Sequence, residues 1–167
     1  MTRIVGEEQY EPEVRRRSVR NVPFFIRDDL IDIITDHGDE GLLQDSEIMG
    51  LIVGKVYKDD DGEYAVATGI ISSELDADDV SVRFDQTDMT QLIDEIDNLK
   101  EGDRIVGWYH SHLGCGCFMS DTDIKTQNGL FGGRIGFAMV IDPVLRQLKV
   151  FDSTMDDPQP IQIIVME

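Results

Sequence analysis

The apolar positions of this chain follow two spacings. In "FFIRDDLIDIITDH" (24–37), Phe25, Ile26, Leu30, Ile33 and Ile34 recur with helical period, which predicts an amphipathic helix. The two glycines of "GDEGLLQDS" predict where it breaks. "EIMGLIVGKVY" (47–57) is a nearly continuous apolar run closed by the turn signal "KDDDGEY". With "YAVATGIIS" (64–72) it predicts a hairpin. Residues 73–88 are acidic and loop-like, except that "VSVRF" alternates as a strand does. "DMTQLIDEIDNL" (88–99) sets Met89, Leu92, Ile93, Ile96 and Leu99 on one helical stripe. "RIVGWYHSH" (104–112) reads as a buried strand and "DTDIKTQNGLF" (121–131) as a short helix. "RIGFAMVID" (134–142), "QLKVFDS" (147–153) and "IQIIVM" (161–166) read as later strands. The order predicts an α/β or α+β domain with a mixed sheet. Residues 1–22 carry few core-type positions and read as an N-terminal extension ahead of a domain spanning 23–167.

Composition narrows the class of function. At 167 residues, one domain can bury a full core without disulfides or metals. With 34 acidic against 15 basic residues the net charge is −19, and such a surface repels nucleic acid. It would suit a basic partner. The basic residues of "RRRSVR" read as a solvated arm. No run is long and apolar enough to cross a membrane, and the start lacks the apolar segment of a secretory signal, which predicts a cytoplasmic protein. Two cysteines one residue apart form no ordinary disulfide framework, in keeping with a reducing compartment.

Chemistry gathers in "GWYHSHLGCGCFMSDTD" (107–123). On a strand, residues i and i+2 face the same way, so His110 and His112 can reach one ion at about 2.0–2.1 Å each. The chain has only three histidines, and two lie here on a buried-type strand. Asp123 is the natural third ligand. "SDTD" also reads as a capping box with Ser120 as N-cap, a use that competes in part with metal binding. Cys115 and Cys117 with the two histidines would instead make a closed structural site. Both pairs, however, are separated by a single residue, closer than structural zinc sites usually allow. An open zinc site with three protein ligands keeps a position for water and needs a general base, for which Glu47 is the candidate. Sequence spacing alone does not bring Glu47 to the metal.

The pattern Glu47, His110-x-His112, seven residues, Ser120, two residues, Asp123 closely resembles the JAMM (MPN+) metalloprotease signature. "EIMGLIVGKV", "VSV", "GWYHSH", the "GxGC" pattern, "S-x-x-D-I-x-T-Q" and "VIDP" extend the likeness toward the proteasome-lid deubiquitinase and signalosome deneddylase branch, as in a prokaryotic or archaeal homologue. The resemblance implies a mixed, curled β-sheet around a central helix with flanking helices. It implies a zinc-dependent isopeptidase that cuts after the Gly-Gly end of ubiquitin or a ubiquitin-like modifier joined to a lysine. His110, His112 and Asp123 would hold Zn2+, Glu47 would move the proton from water to the leaving amine, and Ser120 would hydrogen-bond the developing oxyanion.

By the same likeness, Cys117 packs under its loop as a small hydrophobe and is no ligand, whereas Cys115 stands where relatives usually carry an aromatic residue. "DDVSVRFD" (78–85) would pair with the modifier's extended tail, with Val80, Val82 and Phe84 flanking it. Leu113 replaces a common proline and Phe118 a tryptophan, and the stretch between "TQ" and "VIDP" is short. Association with a proteasome-type complex is implied. The alternatives are an MPN scaffold subunit inactive without partners, and a metallopeptidase for an unrelated substrate.

Overall fold

The computed structural model describes residues 2–4, 23–72, 99, 101–131, 134–152, 158 and 160–166. Strands β1 (Thr2–Ile4), β2 (Phe24–Arg27), β3 (Met49–Asp59), β4 (Gly62–Ser72), β5 (Arg104–Ser111), β6 (Phe137–Asp142), β7 (Gln147–Asp152), β8 (Pro160–Ile161) and β9 (Ile163–Met166) form one curled sheet ordered β1-β9-β2-β4-β3-β5-β6-β7-β8. Helices α1 (Asp28–Leu43) and α2 (Asp121–Phe131) complete the described elements. Pairing is antiparallel except for β2–β4, β2–β9 and β5–β6, so the sheet is mixed, as expected. The register of β3 slips near Val53 against both β4 and β5, and such irregularities bend a strand.

Alternation along the strands divides the core between two faces of the sheet. Ile52 of β3, Tyr109 of β5 and Met139 and Ile141 of β6 pack with Leu30, Ile31 and Ile34 of α1. Met49, Leu51, Trp108, Ala138 and Val140 face the other way and pack with Phe131 of α2. The hairpin, the buried strand and the short helix thus lie where the pattern put them.

Three expectations need correction. The strand expected over 161–166 is divided: Pro160–Ile161 pairs with β7, and Ile163–Met166 pairs with β1 and β2. The helix expected from residue 24 begins at Asp28, and Phe24–Arg27 is strand β2, with Phe24 and Ile26 buried and Phe25 half-buried between them. Its parallel partners β9 and β4 decide the outcome, since "FFIR" fits either period. Gly38 and Gly41 do not break the helix but lie buried within it. A Cβ at Gly38 would stand 2.5 Å from Ile141 Cδ1, and one at Gly41 2.7 Å from the Ser46 carbonyl oxygen. These glycines let α1 approach the chain beneath it. Within the expected N-terminal extension, Thr2–Ile4 pairs antiparallel with β9. The stripe expected over 88–99 lies outside the described residues apart from Leu99. Among the described residues no helix is long and apolar enough to cross a membrane.

Candidate metal centre

His110 lies near the end of β5 and His112 just past it, on the face that looks toward α2. Asp123 comes from the first turn of α2, and the three are buried. Asp123 Oδ2 stands 3.1 Å from His110 Nε2 and 3.3 Å from His112 Nε2. A tetrahedral ion bound at about 2.0–2.1 Å separates its ligands by about 3.3 Å, so this spacing suits one ion. Among the described residues this is the one His/Cys/Asp/Glu cluster with metal-ligand spacing. Neither cysteine belongs to it.

The hydrogen-bond inventory around the cluster points the same way. His112 Nδ1–H donates to the Gly116 carbonyl at 2.7 Å, which leaves a lone pair on Nε2 of the neutral ring facing another lone pair on Asp123. Among the described residues His110 Nδ1 has no hydrogen-bond partner, while its Nε2 faces the Asp123 carboxylate at 3.1 Å. Three potential ligand atoms thus converge on one point. Burial lowers the His112 pKa, but Asp123 and the Gly116 carbonyl outweigh it and the ring is held above the ordinary range. Burial pushes His110 down despite Asp123. For Asp123, burial is outweighed by the two imidazoles and the Ser120 N–H, and the carboxyl sits well below the usual range. The donor set therefore fits a divalent metal, with the carboxylate ionised and its oxygen aimed at the histidines.

The cap and the ligand readings of Asp123 prove compatible. Asp123 Oδ2 accepts the Ser120 N–H at 2.9 Å while facing both imidazoles, and Ser120 Oγ accepts the Asp123 N–H at 3.1 Å. The capping box thus aims the carboxylate. Ser120 uses a lone pair in this bond, so its hydroxyl proton remains available to donate.

Glu47 precedes β3, half-buried beside the cluster. The register Met49↔His110 brings it there, and Ser111 fixes the adjoining backbone. Ser111 Oγ accepts the Ile48 N–H at 2.8 Å, and its own N–H donates to the Ile48 carbonyl at 3.0 Å. Burial raises the Glu47 pKa, His112 lowers it, and Asp123 raises it further, so its carboxyl stays above the ordinary range.

Sequence reasoning assigned no role to several supporting residues. Trp108 stacks on His110 at 4.4 Å between ring centroids, and its indole N–H donates to Gln127 Oε1. Gln127 Nε2 donates to the Gly136 carbonyl at 3.1 Å, which ties α2 to the sheet. Gln127 and Asp142 stand in the motifs "S-x-x-D-I-x-T-Q" and "VIDP", a signal without a stated mechanism. Cys117 is buried in the cluster with Trp108 and Val140, and its thiol is pushed up to about 12, chiefly by burial. Cys115 is exposed. Phe118, nearly half exposed, lies 4.7 Å from the His112 ring. Val80, Val82 and Phe84 lie outside the described residues.

A mixed sheet and two helices thus carry a two-histidine, one-aspartate cluster that could hold a metal ion, on a fold of the MPN type. The chain belongs to the JAB1/Mov34/MPN/PAD-1 ubiquitin protease family, whose profile matches residues 22–130. It is 33% identical over 113 residues to COP9 signalosome complex subunit 5 of Candida albicans, covering 62% of this chain and 18% of that protein. It is 31% identical over 112 residues to the ubiquitin carboxyl-terminal hydrolase RPN11 of Saccharomyces cerevisiae, covering 65% and 34%. The chain therefore spans about a third or less of these relatives. In structure it resembles DSY2949 of Desulfitobacterium hafniense, with a TM-score of 0.60, 17% identity and coverage of 86% and 93%. AF2198, a JAB1/MPN domain protein of Archaeoglobus fulgidus, follows at 0.53, 15% identity and coverage of 85% and 98%.

Proposed function

We propose that the protein is a zinc-dependent isopeptidase of the cytoplasm. It would hydrolyse the bond between the Gly-Gly end of ubiquitin or a ubiquitin-like modifier and a substrate lysine. The observation that carries the reading is the convergence of His110 Nε2, His112 Nε2 and Asp123 Oδ2, with Glu47 beside them. Family membership and relatives named for the signalosome, the proteasome and ubiquitin hydrolysis support the substrate class.

In this reading His110, His112 and Asp123 hold the zinc. Bound there, zinc supplies a Lewis acid for the scissile carbonyl and lowers the pKa of water toward about 7. Glu47 accepts a proton from the attacking water and delivers it to the departing lysine amine. A half-buried, weakly acidic carboxylate suits both halves of that task. Ser120 Oγ–H donates to the oxyanion that develops on the carbonyl, held in place by the bond its oxygen accepts from Asp123 N–H. The segment carrying Val80, Val82 and Phe84 flanks the modifier's tail, and the acidic chain works within a proteasome-type assembly.

Incubation of zinc-loaded protein with Gly-Gly modifier conjugates and with unrelated peptides tests the proposal. Release of free modifier by wild type, lost in Glu47→Gln, is the expected result. Cleavage of the unrelated peptides alone would replace it with a general metallopeptidase. No cleavage by wild type, even with partner subunits added, would favour a scaffold.

A further inference from the structure

Asp142 is fully buried at the end of β6 and belongs to no part of the donor set. Its carboxylate accepts the Gly114 N–H on both oxygens, at 3.0 and 2.9 Å, and the Gly116 N–H at 2.8 Å. Oδ1 also takes the N–H groups of Val144 and Leu145, each at 3.0 Å. Four backbone donors from two separate turns meet on one side chain. Gly114 and Gly116 have φ of +97° and +91°, a backbone conformation that favours glycine and turns both N–H groups toward the carboxylate.

The bearing on the metal centre comes through Gly116. The residue whose N–H binds Asp142 offers its carbonyl to His112 Nδ1 at 2.7 Å. The residue before Asp142 adds a second tie, because the His112 N–H donates to the Ile141 carbonyl at 2.8 Å. An acceptor at the other ring nitrogen orients a metal-binding imidazole, and for His112 that acceptor sits on a loop with Asp142 at its hub.

We propose that Asp142 is a positioning residue of the metal centre: its carboxylate holds the 113–117 loop so that the Gly116 carbonyl keeps His112 protonated on Nδ1 and open on Nε2. The inference rests on the reading of His110, His112 and Asp123 as metal ligands. Without the carboxylate, the Gly114 and Gly116 N–H groups lose their shared acceptor and the Gly116 carbonyl loses its place. His112 then becomes free to carry its proton on Nε2, which leaves no lone pair facing Asp123 and His110. Asp142→Asn keeps the shape but turns one acceptor into a donor facing N–H groups.

Zinc affinity of the full chain, measured by competition with a chromophoric chelator, tests this in wild type, Asp142→Asn, Pro143→Gly and His110→Ala. Folding is followed by circular dichroism. Asp142→Asn should weaken zinc binding by about 10–100-fold in folded protein. Pro143→Gly, which loosens the same turn but keeps the carboxylate, should leave affinity unchanged. A folded Asp142→Asn with wild-type affinity, or an equal loss in Pro143→Gly, would overturn the inference alone. Wild type no tighter than His110→Ala would overturn the ligand reading beneath it. Should Asp142→Asn fail to fold, NMR of metal-free wild type decides, at a pH where His112 is neutral. An Nδ1–H tautomer with slowly exchanging Gly114 and Gly116 amides is expected. An Nε2–H tautomer, or fast exchange of those amides, contradicts it.

Discussion

Ser120 and Asp123 are bonded reciprocally: each side chain accepts the other's backbone N–H, at 2.9 and 3.1 Å, while the Asp123 oxygen that does so also faces His110 and His112. A helix cap and a ligand orientation are therefore one structure. Ser120→Ala removes the cap and the proposed oxyanion donor together. It should cost about 0.5–2 kcal/mol of stability and about 10²–10³-fold in kcat. Ser120→Thr should restore most of both. Denaturant unfolding and turnover, read on the same samples, check the pairing; an alanine variant with full turnover would remove Ser120 from the chemistry.

Gln127 holds α2 against the sheet through two buried hydrogen bonds, accepting from Trp108 and donating to the Gly136 carbonyl. Gln127→Leu fills similar space and removes both bonds, taking from the buried Trp108 N–H its acceptor at about 1–3 kcal/mol. Because α2 carries Asp123, zinc affinity should fall as well. Urea unfolding with a zinc titration checks this, and unchanged stability would show that the two groups find other partners.

Alanine is favoured over glycine within a helix by about 1 kcal/mol. Gly41→Ala should nonetheless destabilise the protein, since its Cβ meets the Ser46 carbonyl oxygen and Ile48 Cγ2. Gly38→Ala should cost less, because the flexible end of Ile141 can turn aside. Thermal unfolding of the two variants gives the order directly, and the reverse order would contradict the contacts.

Glu47 titrates above the ordinary glutamate range in the metal-free protein because burial disfavours its charge. A divalent cation nearby favours the carboxylate, so zinc loading should lower this pKa. Glu47 is ionised above its pKa, so the loaded protein keeps its base active to lower pH than the metal-free titration suggests. Carbon-13 NMR of the side-chain carboxyl, with and without zinc, measures both values. A Glu47 unmoved by zinc would place it too far away to act.

The sequence made the hairpin, β5 and α2 legible because long apolar runs and clear turn signals leave little choice of period. "FFIR" was ambiguous, and its strand state depends on β9 and β4, distant in sequence. Gly38 and Gly41 looked like breakers because their role is the approach of Ile141, Ser46 and Ile48, which no local pattern records. In the site, His110 and His112 were readable from strand alternation and Asp123 from its helix start. Glu47 needed the register of β3 on β5. Asp142 and Gln127 act only through folded neighbours, so the motifs that contain them carry no mechanism until the fold is known.

The proposed enzyme works through an open three-ligand zinc site that hydrolyses an isopeptide bond. Zinc content and conjugate cleavage, measured together in wild type, Glu47→Gln and the Cys115→Ser/Cys117→Ser double variant, test it most directly. One zinc per chain in all three, with cleavage lost only in Glu47→Gln, is the predicted result. Loss of zinc from the double cysteine variant, with the histidines and Asp123 intact, would contradict it and make the metal structural.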